Sequence, residues 1–130
     1  LAPGGPAADP ALTGKWRLAT FVDEDVAMSV LAGTEITLTL DLAAGTLAGN
    51  AGCNGFSGGM TVDADADGRT ATVEVGPLAS TMMACEPDVM DQELMFHEIL
   101  SAATTLRSEG GFLSVTTDDG RALVFEPAEA

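Results

Sequence analysis

The chain has 130 residues, enough for one domain that buries about two-thirds of its unfolded surface. Twenty Asp and Glu stand against five Lys and Arg, a net charge of −15. No basic patch exists to meet nucleic-acid phosphates or an anionic membrane surface. Hydrophobic residues reach 46%, yet no apolar run has the length of a membrane span. Tyr is absent and aromatics are only 5%, so the core must be aliphatic, with Met filling gaps. High solubility in a salty or crowded exterior is the simplest account of the charge.

Residues 1–11 carry Pro3, Pro6, Pro10, Gly4 and Gly5 with no hydrophobic period, which predicts a flexible tether. The domain is expected over residues 12–127, with a short tail at 128–130. The chain opens on Leu1 rather than Met, which reads as a trimmed chain or a mature form whose export signal has been removed. Residues 16–22 alternate as a first strand, with Trp16, Leu18 and Thr20 on one face. Residues 23–33 read as a loop or single turn. Residues 35–41 form the cleanest strand, Ile36, Leu38 and Leu40 on one side, and Gly45 turns it into a partner at 46–49.

Residues 50–59 crowd Cys53 among four glycines and two asparagines. Such density predicts backbone at positive φ or packed closely on something else, and Asn50 and Asn54 suit the same left-handed geometry and can bond their own main chain. Residues 60–62 and 70–75 then read as a hairpin around 63–69. Asp88 is the expected N-cap of a helix, with Asp91 three residues on. Leu94, Phe96, Ile99, Leu100 and Ala103 give helical spacing, while Gln92, Glu93, His97 and Glu98 are expected on its wet side. Three short strands follow at 106–108, 112–116 and 122–126. The fold class is α+β, mostly β: a strongly curved antiparallel sheet or partly open β-barrel of about eight short strands, with one helix packed against it.

The residues leave several chemical readings open. Cys53 and Cys85 suit a disulfide in an oxidising compartment, buried thiols, or a nucleophile with His97 as base. Asp63, Asp65, Asp67, Gly68 and Glu74 satisfy the D-x-D-x-D-G calcium-loop spacing, but strands rather than helices flank them. No second histidine supports zinc, and no nucleophile-elbow pattern supports a hydrolase. No enzyme activity, cofactor, catalytic residue or metal site is expected.

The order of features resembles the META/HslJ-like domain family. The resemblance rests on residues 12–18, on Gly49-Asn50-Ala51-Gly52-Cys53-Asn54-Gly55-Phe56 with Gly59, and on Gly76 to Cys85 with its Thr81-x-x-Ala84-Cys85. It continues through Glu93 and Phe96 to an Asp119-Gly120 hairpin ending at Phe125. It implies a barrel-like antiparallel sheet with one helix, a Cys53–Cys85 disulfide, and structural roles for Gly52, Asn54, Gly59 and Thr81. It further implies an extracytoplasmic place (periplasmic, envelope-anchored as a lipoprotein, or secreted) and links to stress response without established catalysis. Met60 stands where the family tends to have an aromatic, and the turn at 63–69 is longer and more acidic. The expected function is a non-enzymatic envelope or stress-associated binding or structural module. Its partner would be an unknown protein or envelope component, and the chain a monomer. The alternatives are a protease inhibitor using residues 23–33, a calcium-binding module through Asp63 to Glu74, and a small-molecule carrier.

Overall fold

The computed structural model describes residues 12–65 and 69–128; the tether expected at 1–11 and the last two residues lie outside them. Among the described residues nine strands and one full helix follow in the order β1 (Gly14–Asp23), β2 (Val26–Ser29), β3 (Ile36–Asp41), β4 (Thr46–Ala51), β5 (Gly55–Ala64), β6 (Thr70–Ser80), α1 (Pro87–Ser101), β7 (Ala103–Glu109), β8 (Phe112–Thr117) and β9 (Arg121–Pro127). Every pairing is antiparallel, and β9 returns to β1. With β2 set aside, eight strands close a barrel. Closure removes the free edges that an open curved sheet would expose to other chains.

β1 is the strand that closes the ring. One of its edges pairs with β9 along residues 16–23, and β3 and β2 share the other. The β1–β9 register slips between Leu18 and Thr20. A bulge of this kind moves the following residues to the opposite face. Trp16 and Leu18 are buried before it and Phe21 after it, while Thr20, expected on the same face as Trp16 and Leu18, is only partly covered.

Residues 23–33 are not all loop: Glu24 and Asp25 take φ of 48° and 77°, and that two-residue turn lays β2 back along β1. Most of the glycine-rich run at 50–59 is strand, since β4 continues to Ala51 and β5 begins at Gly55. Within that run only Gly52 has positive φ, at 115°, so Asn50 and Asn54 do not adopt the left-handed geometry expected of them. Asn50 does bond its own main chain, its Oδ1 accepting the Gly52 N–H at 2.9 Å. Gly58 serves close approach: a Cβ there would meet Leu78 Cδ2 at 2.7 Å and the Pro77 carbonyl oxygen at 2.9 Å.

Alternate residues fill the interior, among them Ile36, Leu38 and Leu40 of β3, Leu113 and Val115 of β8, and Leu123 and Phe125 of β9. The helix packs against β4, β6, β8 and β9. β4, β6 and the adjacent pair β8 and β9 stand at separated positions around the ring, so α1 lies over one mouth of the barrel rather than along its wall. Phe96 projects into that mouth, with ring centroids 5.5 Å from Phe56 and 6.5 Å from Phe125. Asp88 is not the N-cap. Glu86 holds that position without a side-chain bond and Pro87 starts the helix, its missing N–H costing nothing there.

Candidate functional site

The glycine-rich turn, the segment after β6 and the first turns of α1 meet at one point, and Asn54 is its centre. Its side chain is only 3% exposed. Nδ2 donates to the Met83 carbonyl oxygen at 3.2 Å and to Glu93 Oε1 at 2.9 Å. Oδ1 accepts the Thr81 hydroxyl at 2.8 Å and the Met83 N–H at 2.7 Å. Glu93 Oε2 accepts the N–H groups of Cys53 at 3.1 Å and Asn54 at 2.7 Å. Thr81 Oγ1 in turn accepts the Gly55 N–H at 3.2 Å. The Cys53–Cys85 disulfide spans the same two segments, with its Cα atoms 6.5 Å apart. A polar network this buried is stabilising because its members are mutually satisfied. With both cysteines in the disulfide, no thiol remains for the Cys–His chemistry left open by the sequence.

Gln92 and Glu93, expected on the wet side of α1, are both 6% exposed. Gln92 Oε1 accepts the Leu31 N–H at 2.8 Å and its Nε2 donates to Thr34 Oγ1 at 3.2 Å, tying α1 to the chain before β3. Burial is the largest influence on Glu93 and pushes its carboxyl pKa up. The Asn54 side chain, the Asn54 and Cys53 N–H groups and the charge of His97 together outweigh it, so Glu93 titrates below its ordinary value. As pH falls, the unfolded chain therefore takes up the proton first. The stabilisation from Glu93 is complete above the ordinary value of about 4.3 and is lost as pH drops through the lower folded value. Glu93→Gln should cost about 2 to 3 kcal/mol at neutral pH, because either orientation of the amide sets its NH2 against a donor, the two backbone N–H groups or Asn54 Nδ2. Denaturant titrations of both proteins should show that gap narrowing as pH falls below about 4.3, the ordinary value. A gap independent of pH would contradict it.

The latch also presents a surface. An open groove of about 430 Å³ runs between residues 80–84 and α1, lined by Met82, Met83, Met90, Leu94, Asp91 and His97 among others. Met82 is 91% exposed and Leu94 59%, with Met83 and Met90 also exposed. Leu94, expected in the core, faces outward because the inward stripe of α1 passes through residues 92, 93, 96, 99 and 100. Met90, Leu94 and His97 recur at helical spacing as a second stripe. His97, expected to face solvent, is half-buried instead. Its ring stands edge-on to Phe56 and Phe96 at 5.5 and 5.8 Å, with Nε2 buried and unpartnered.

The META domain family profile matches residues 10–130 of the chain. The chain belongs to the META domain family. Two solved structures share the fold of this META domain. A protein from Burkholderia xenovorans, solved by NMR, aligns at TM-score 0.73 with 23% identity, covering 100% of this chain and 94% of that one. A DUF4847 family protein from Bacteroides vulgatus ATCC 8482 aligns at TM-score 0.60 with 15% identity, covering 92% and 96%. At those identities the likeness speaks for the fold alone. No functionally curated protein matches.

Of the residues singled out from the sequence, the META fold brings Gly52, Cys53, Asn54, Thr81 and Cys85 together. Gly59 lies elsewhere, in β5 opposite Thr46. Asp63 ends near the tip of the β5–β6 hairpin and Glu74 faces Thr61 across it. Asp67 and Gly68 of the calcium-loop pattern lie outside the described residues. Among the described residues no three His, Cys, Asp or Glu side chains converge as a metal site, and no helix is long and apolar enough to cross a membrane. The site residue that sequence reasoning missed is Glu93. Its signal was present: residues 92, 93, 96, 99 and 100 already trace the inward helical stripe, with two polar members.

Proposed function

We propose that this META domain is a non-enzymatic, extracytoplasmic binding module that takes its partner in the groove between residues 80–84 and α1. One observation carries the reading: four exposed apolar side chains, Met82, Met83, Met90 and Leu94, stand together on segments fixed by the Asn54–Glu93 network and the disulfide. A contiguous apolar patch on a preorganised support loses little entropy on binding, and methionine adapts its shape to what it meets. The disulfide supports an oxidising location, as an envelope-anchored or secreted protein. A role in envelope stress is consistent with that location.

Methionine methyl NMR tests the groove directly, because the chain has six methionines. On titration with a neutral Leu/Gln amphipathic peptide, the methyls of Met82, Met83 and Met90 should shift. Those of Met28 and Met60, which do not line the groove, should stay. Unmoved groove methyls at millimolar peptide would end this reading.

A further inference from the structure

We propose that the partner is a cationic amphipathic protein segment, one that lays apolar side chains along the groove and Lys or Arg against its rim; this rests on the groove reading above. The apolar part comes from two walls. Met82 and Met83 form one wall, and Met90 and Leu94 with the His97 ring form the other, one to two helical turns long. Two turns rise about 11 Å, the footprint of a short amphipathic helix laid in a groove.

Charge selects among possible occupants. Residues 80–101 contain Glu86, Asp88, Asp91, Glu93 and Glu98 and neither Lys nor Arg. Glu93 is consumed by the Asn54 latch, and Glu98 acts on Arg121. Asp91 lines the groove and is exposed, and Glu86 and Asp88 are exposed at the start of the same helix. The ion pairs of Arg17, Arg107 and Arg121 go to Glu35, Glu126, Glu109 and Asp119, none of them to these three. An apolar strip beside carboxylates that make no ion pair among the described residues is complementary to a basic amphipathic face. A second copy of this chain would bring another −15 charge against the same rim, and an anionic membrane would be repelled likewise.

Fluorescence anisotropy with an 18-residue Leu/Lys amphipathic peptide tests the inference, with Leu/Gln and Leu/Glu peptides of the same pattern beside it. The proteins are the intact chain, a Met82→Ser, Met83→Ser, Leu94→Ser variant, and an Asp88→Asn, Asp91→Asn variant. All substitutions are at exposed positions, and thermal melts confirm that each variant is folded. The Leu/Lys peptide should bind the intact chain in physiological salt, lose about tenfold or more on the serine variant, and lose several-fold on the asparagine variant. The serine variant keeps every charge. If it binds Leu/Lys undiminished, the attraction is diffuse and the proposal is overturned. If Leu/Gln or Leu/Glu binds the intact chain as tightly as Leu/Lys, the groove reading stands and the cationic partner falls. If no peptide binds, both fall.

Discussion

Asn54→Ala is expected to lower the unfolding free energy by about 3 to 4 kcal/mol, a large part of what a domain of this size possesses. The substitution removes four hydrogen bonds at once and strands Met83 N–H and Glu93 Oε1 in a buried setting. Asn54→Asp separates satisfaction from shape. It keeps the acceptor for Thr81 and Met83 but replaces the donor to Glu93 with a second carboxylate, so it should be at least as damaging at neutral pH and partly recover in acid. Asn50→Ala is the control: that side chain is exposed and makes one bond, to Gly52 N–H, so the loss should stay near or below about 1 kcal/mol. Denaturant titrations would measure all three. Equal small losses at positions 50 and 54 would show that the Asn54 network contributes little to stability.

Removing the disulfide, by reduction or by Cys53→Ser with Cys85→Ser, should cost about 4 kcal/mol on the chain-entropy account, given a sequence separation of 32. The barrel should survive it, because its core residues lie on strands paired around the whole ring. The groove should not stay rigid. Residues 81–86 belong to no strand or helix, and once the covalent tie is gone they are held mainly through Asn54. Hydrogen exchange of the Met83 amide should therefore rise well above that of β8 amides, and peptide binding in the groove should weaken while the melt remains cooperative. Unchanged melting and exchange after reduction would show that the disulfide adds nothing. Combined with Asn54→Ala, the expected losses approach the whole stability of a small domain, so that double change should leave the chain largely unfolded.

Both outcomes bear on binding because the same residues fix the fold and shape the groove. An exposed Met82 and Met83 on a loose loop would collapse onto the nearest apolar surface. On a loop pinned at Thr81, Met83 and Cys85 they remain presented. Oxidising conditions would then favour the competent surface, in keeping with an exterior location.

Local chemistry determined a good deal by itself. The alternation Ile36, Leu38, Leu40 fixes β3 and its inward face, because a strand's period of two is written in adjacent residues. The turn at Gly45 and the later hairpins are legible in local turn chemistry, and the Gly-Cys-Asn and Thr-x-x-Ala-Cys elements through the family resemblance. Tertiary structure decided the rest. The bulge that buries Phe21 depends on the register β9 imposes on β1, and the Glu24–Asp25 turn lacks the Gly or Asn that usually announces such geometry. On α1 the helical period was visible, yet a glutamate in the inward stripe reads as an error unless its partners are known. Those partners, the N–H groups of Cys53 and Asn54, lie 40 and 39 residues away in sequence. Only folding brings them within hydrogen-bond reach, and that burial turns Leu94 and Met90 outward.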